Sequence, residues 1–166
     1  MEGGEHMGYK RLSIILIAMM LFAFSATASG ENIDPDNDGS QYAWGENVGW
    51  INMEPSLGPG VTVSDSALTG MAWGENIGWI NLSPPNGGVL NDGNGNLSGY
   101  AWGENIGWIN FNPTGGGVAI NPATGVFSGY AWGENIGWIN FGPATGAAKT
   151  SWRGAVAVDA DGDGYT

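Results

Sequence analysis

The chain contains no cysteine, and its one histidine, His6, stands among the first residues. Lysine and arginine together number four against 16 acidic residues, so the formal net charge is −12. The lack of cysteine excludes disulfide staples and thiol nucleophiles. Once a leader is removed the chain also lacks histidine, which excludes His-assisted serine catalysis and zinc sites of the usual kind. So acidic a surface repels nucleic acid and anionic lipid, and favours divalent cations and neutral ligands.

The sequence holds one long apolar run, from Leu12 to Phe24. It is shorter than the roughly 20 residues a spanning helix needs. Lys10 and Arg11 precede it and Ala26-Thr27-Ala28 follows, the pattern of a secretory signal peptide over residues 1–30 with a small-residue cleavage site. The mature protein is therefore expected to be secreted or displayed at the cell surface, with no membrane span. Because Glu2, Glu5, Lys10 and Arg11 all lie in the leader, cleavage leaves the net charge at −12. Without disulfides, an exported chain of about 136 residues must find its stability in its own core or in bound metal.

Glycine (31 residues) and tryptophan (9 residues) are abundant, and both concentrate in a repeat. The phrase Ala-Trp-Gly-Glu-Asn-(Ile/Val)-Gly-Trp-Ile-Asn begins at Ala43, Ala72, Ala101 and Ala131, with offsets of 29, 29 and 30 residues. The linkers between copies share only a loose pattern, so the phrase itself carries the constraint.

Each unit is longer than its phrase. The clearest runs through Gly117 to Ile120, the turn Asn121-Pro122-Ala123-Thr124-Gly125, Val126 to Trp132, the turn Gly133-Glu134-Asn135, and Ile136 to Phe141. Short runs rich in β-branched and aromatic residues, bounded by Gly, Pro and Asn, read as strand A, strand B and strand C. No stretch of the mature chain has helical periodicity. The expectation is an all-β fold of tandem three-stranded antiparallel meander repeats, propeller-like or in an extended array. A β-solenoid with one repeat per coil is the alternative. It would stack Glu46, Glu75, Glu104 and Glu134 about 4.8 Å apart, which like charges resist. The four repeats span 31–53, 61–82, 88–111 and 117–141, and residues 142–166 start a fifth, incomplete one ending in an Asp-rich loop. That last segment either closes back on the first unit or pairs with another chain.

Side-chain parity bears on the hairpin register. Collecting Tyr100, Trp102, Ile109 and Phe111 on one core face requires opposed residue numbers to sum to an odd value, which places Trp102 over Gly107 and turns Trp108 and Asn110 to the other face. The even register sets Trp102 opposite Trp108 and scatters that apolar set. The odd register is the expected one.

Two groups of residues point to binding. Asp34, Asp36 and Asp38 before Gly39, and Asp159, Asp161 and Asp163 before Gly164, follow Asp-x-Asp-x-Asp-Gly. Alternate carboxylates at that spacing converge on Ca2+. Both loops lack the twelfth-position Glu of an EF-hand, Gly45 standing there in the first. The same aspartates also make good turns. In the phrase, Trp50, Trp79, Trp108 and Trp138 are candidates to stack on sugar rings, with Asn52, Asn81, Asn110 and Asn140 binding hydroxyls. The competing structural reading packs both Trp in the core and gives Asn47, Asn76, Asn105 and Asn135 positive φ in the turns. A glycosidase needs two carboxylates in unlike environments, whereas equivalent repeats give their glutamates one environment, so no enzyme is expected.

Gly-Tyr-Ala-Trp-Gly-Glu-Asn-Ile-Gly-Trp-Ile-Asn-Phe, complete at residues 99–111 and 129–141, resembles tandem repeats of roughly 30 residues found in exported bacterial proteins. The second Asp-rich run, ending Asp-Gly-Asp-Gly-Tyr-Thr, resembles secreted calcium-binding loops of the thrombospondin type 3 and dockerin kinds. Together these imply a secreted or surface-displayed, calcium-stabilised repeat module that binds carbohydrate, or another cell-surface polymer, through a Trp/Asn face. The alternative is a structural subunit of an extracellular fibre or surface layer, self-associating through the incomplete C-terminal repeat.

Overall fold

The computed structural model describes residues 32–154; the leader and the end of the incomplete fifth repeat, with Asp159, Asp161 and Asp163, lie outside the described residues. The described chain is all-β. Each phrase folds as a hairpin, giving β1 (Tyr42–Gly45) with β2 (Gly49–Asn52), β4 (Ala67–Gly74) with β5 (Gly78–Asn81), β7 (Leu97–Gly103) with β8 (Gly107–Asn110), and β10 (Phe127–Gly133) with β11 (Gly137–Asn140). The turns follow from the sequence Gly-Glu-Asn-(Ile/Val)-Gly. Val48 N–H donates to the Gly45 carbonyl at 3.2 Å, closing a β-turn, and Gly49 then takes φ +80, a backbone region that a side chain would oppose. The other three hairpins repeat this with Ile77, Ile106 and Ile136.

That turn sets the register, and it is the even one. Trp102 faces Trp108, Ala101 faces Ile109 and Tyr100 faces Asn110. The odd register fails because it counts Tyr100 and Trp102 as core, and both lie on the outside. The interior accepts only Ala from strand B and Ile from strand C, and sends Trp and Tyr outward.

The hairpins pair edge to edge. β2 joins β4 through Ile51↔Gly74 and Asn52↔Trp73, β5 joins β7, β8 joins β10, and β11 returns to β1 through Trp44↔Asn140 and Gly45↔Ile139. The result is a closed eight-stranded antiparallel barrel, in place of a propeller, an extended array or a solenoid. Edge pairing between hairpins satisfies the backbone on both sides, and closure removes the edges.

Eight strands leave an interior just wide enough for side chains to fill. Three rings fill it, each contributed once per hairpin and all buried: Val48, Ile77, Ile106 and Ile136 at the turn end; Ile51, Ile80, Ile109 and Ile139, each opposite an Ala of strand B; and Met53, Leu82, Phe111 and Phe141 at the far end. The turn end is also laced together. Asn47 Nδ2 donates to the carbonyl of Ile136, Asn76 to Val48, Asn105 to Ile77 and Asn135 to Ile106, at 3.0–3.1 Å. Each turn is thus tied to the preceding one in a complete circle. The structural reading gave these asparagines positive φ, and they do not take it; the glycine two positions on does, and the amide is left free to bridge hairpins.

Beyond the far end, β3 (Val61–Val63), β6 (Gly88–Asn91) and β9 (Gly117–Ile120) are the strands A. They pair with the extended starts of β4, β7 and β10. The glycine two residues before the phrase in the second, third and fourth units serves this contact, because a Cβ on Gly70, Gly99 or Gly129 would lie 1.9–2.1 Å from the carbonyl oxygen of Gly60, Gly88 or Gly117. At the first unit, residues 147–151 take up the neighbouring space. Lys149 N–H donates to Ser40, Asp34 N–H to Lys149, Phe127 N–H to Ala148 and Thr150 N–H to Gly125, so this segment bridges the first unit and the last. Trp152 is buried beside it and donates its indole N–H to Asp65 at 2.8 Å.

Candidate ligand-binding face and the cleft at its break

The even register places both tryptophans of every phrase on the outside of the barrel. They meet edge to face, with ring centroids 4.7 Å apart for Trp44 and Trp50, 4.9 Å for Trp73 and Trp79 and for Trp102 and Trp108, and 5.0 Å for Trp132 and Trp138. Tyr42, Tyr100 and Tyr130 add a further edge contact to the second Trp of their units. In the second unit Met71 stands there instead. Four aromatic pairs therefore ring the barrel at one height, fixed by cross-strand pairing.

Trp79, Trp108 and Trp138 rest on the linker that precedes them. A Cβ on Gly58, Gly87 or Gly116 would come within 2.7 Å of the indole of Trp79, Trp108 or Trp138 respectively. These glycines end turns closed by Gly58 N–H to Pro55, Gly87 N–H to Pro84 and Gly116 N–H to Pro113. The glycine that makes room for an indole is therefore in the linker, and the indole is that of the second Trp. The expectation of Gly107 beneath Trp102 is overturned, since the nearest atom to a Cβ on Gly107 is Asn135 Nδ2, at 3.2 Å.

The first unit breaks the pattern. Its equivalent turn in the closed ring is Pro143-Ala144-Thr145-Gly146. Asn86 and Gly115, in the two turns before it, have φ of +64 and +80. In the turn at 143–146 the left-handed residue is Gly146, at φ +74. A Cβ on Gly146 would meet Gly39 O and Tyr42, each at 3.7 Å, with Trp50 beyond 4 Å. Trp50 is accordingly 45% exposed, against 36% for Trp138. Between the displaced turn and the second hairpin lies an open cleft of about 740 Å3, with Tyr42, Trp44, Trp50 and Trp73 as its aromatic walls and Asp38 and Glu75 among its polar groups.

The asparagines expected to bind ligand have a structural task. Oδ1 of Asn81, Asn110 and Asn140 accepts the N–H two residues on, from Ser83, Asn112 and Gly142, at 2.8–2.9 Å. Asn52 does the same for Glu54 and also accepts from Gln41 Nε2 at 3.1 Å. Each ends strand C with an Asx turn beside its Trp.

The first Asp-rich loop does not converge on a point. Asp34 is 3% exposed, and its carboxylate accepts from Asp38 N–H and Gly39 N–H at 2.9 Å and from Ser40 Oγ at 3.2 Å. Asp36 instead pairs with Lys149. Asp38 turns to Ser40, whose hydrogen bonds hold its carboxyl below the usual aspartate range. Asp34 and Asp38 thus both turn to Ser40 while Asp36 turns to Lys149, and among the described residues no three His, Cys, Asp or Glu side chains gather as a metal-ligand set.

Sequence reasoning missed the linker glycines and the bridging asparagines. The linker glycines have one signal, the recurrence of Pro-x-x-Gly after each phrase at Pro55, Pro84, Pro113 and Pro143. No family model, curated protein or solved structure matches the chain.

Proposed function

We propose that this protein is a secreted or surface-displayed, non-enzymatic β-barrel module that binds carbohydrate through the ring of paired tryptophans. The observation that carries the reading is the outward placement of Trp44–Trp50 and its three counterparts, rigidly held by neighbours yet leaving ring surface open. A barrel core has no need of indoles there. Sugar rings stack on such faces at little entropic cost, because the side chains are already fixed. Asn52, Asn81, Asn110 and Asn140 support the face by ending strand C beside it. Export rests on the leader at residues 1–30, and calcium enters only through Asp159, Asp161 and Asp163. Self-association is the weaker reading, since the eight barrel strands close on one another.

A glycan array followed by calorimetry tests this. Binding that falls in Trp50→Ala and Trp138→Ala, with an unchanged melting temperature, is the expected result. No glycan bound by the unaltered protein refutes it.

A further inference from the structure

Among the described residues the aromatic ring is hollowed at the first unit, and again beside Trp73 and Trp79, where a cavity of about 330 Å3 is lined by no carboxylate. At the first unit the turn at 143–146 stands off from Trp50, and the cleft so opened has four aromatic walls, Tyr42, Trp44, Trp50 and Trp73, and two carboxylates, Asp38 and Glu75. None of the described residues lining it is basic. Lys149, one of the two basic residues of the described chain, is held by Asp36. Aromatic faces attract cations through their negative quadrupole, and two carboxylates within one small cleft add to that attraction. The whole chain, at a net charge of −12, adds a field of the same sign. A ligand for this place has a flat apolar side to stack on Trp50 and a positive charge close by.

We propose that the cleft beside Trp50 is a binding site for amino sugars with a free, protonated amine, so that the glycan taken by this module carries unacetylated amino groups. This rests on the carbohydrate reading above and narrows it. The ammonium lies between Glu75 or Asp38 and the aromatic walls, while the pyranose ring stacks on Trp50. Acetylation removes the charge and turns a carbonyl oxygen toward the carboxylates. Uronic acids and phosphorylated glycans are repelled outright. The covered counterparts, Trp79, Trp108 and Trp138, have a linker turn where the cleft would be and lack this selectivity.

Calorimetry with glucosamine oligomers, the same oligomers N-acetylated, and tetramethylammonium tests the proposal on the full chain at a pH near 6. The free-amine oligomer is expected to bind about tenfold or more tightly than the acetylated one, and to weaken as salt is raised. Exposed Glu75 tolerates replacement, and Glu75→Gln should lower affinity for the free amine about tenfold with no change for the acetylated oligomer. Trp50→Ala should abolish the preference for the free amine, whereas Trp138→Ala, which weakens glycan binding in general, should leave the ratio of free-amine to acetylated affinity unchanged. Equal affinity for both oligomers, or an unchanged Glu75→Gln, overturns the proposal and leaves glycan binding standing. Tetramethylammonium bound as tightly as the oligomer overturns it too, because recognition is then of the cation alone. If the array finds only other sugars the proposal fails by itself; if it finds none, the carbohydrate reading fails with it.

Discussion

Replacing Asn105 by alanine removes one of the four amide bridges that tie the hairpin turns into a circle, the 3.1 Å bond from its Nδ2 to the carbonyl of Ile77. A net intramolecular hydrogen bond contributes about 1 kcal/mol, and the freed carbonyl at this half-exposed turn regains water, so the loss should be about 1 kcal/mol. The bond from Asn47 to Ile136 joins residues 89 positions apart and closes the ring, but it is chemically the same bond and should cost the same. No two bridges share a donor or an acceptor atom, so four such losses sum to about 4 kcal/mol, a large part of the roughly 5–15 kcal/mol typical of a domain, and because each turn takes part in two bridges a departure from that sum measures their coupling. Urea unfolding followed by tryptophan fluorescence measures this, with each midpoint falling at constant slope. Asn105→Gly separates the bridging role from a turn-conformation role. If Asn served by taking positive φ, glycine would be harmless; as a bridge, it should cost at least as much as alanine. Stability of Asn105→Ala within about 0.3 kcal/mol of the parent protein, or a Gly variant more stable than the Ala variant, refutes the reasoning.

Asp34→Ala should destabilise the protein by about 3 kcal/mol in buffer containing chelator, because it strips three hydrogen bonds from a buried carboxylate; a loss seen only with added calcium would contradict this. Gly87→Ala should cost about 1–3 kcal/mol by forcing a methyl group against Trp108, and near-ultraviolet circular dichroism should show the indole shifted. An unchanged melt would mean that Trp108 does not rest on the linker. Asp92, which accepts from the Asn96 side chain and from the Asn94 and Asn96 amides, should titrate below the ordinary value of 3.8. Its folded pKa is depressed, so its contribution is present above the unfolded value and is lost as pH falls through the folded one. Carboxyl NMR resolves the shift, and titration at or above the ordinary value contradicts it.

The repeat, its A-B-C strands and the all-β class were legible because Gly, Pro and Asn mark the turns and β-branched residues fill the strands. The register was not, because it turns on whether Trp102 counts as core, and a narrow eight-stranded interior lined by Ala101 and Ile109 has no space for indoles. Closure was also hidden. It depends on short edge contacts such as Trp44↔Asn140, which leave no trace in either residue's local sequence. The asparagine bridges are invisible for the same reason, each reaching a carbonyl in another unit. In the first Asp-rich loop the spacing of carboxylates does not reveal that Asp36 reaches Lys149, 113 residues on, while Asp34 and Asp38 turn to Ser40.

Because the chain has no cysteine, a Trp44→Cys, Asn140→Cys double variant carries a single thiol pair, placed on directly opposed residues of β1 and β11. Opposed antiparallel residues lie about 4.5–5.5 Å apart at Cα, within the reach of a disulfide. Dilute oxidation followed by peptide mapping should give an intramolecular crosslink between the first hairpin and the last in a monomer. Free thiols, or crosslinks only between chains, would contradict the closed barrel.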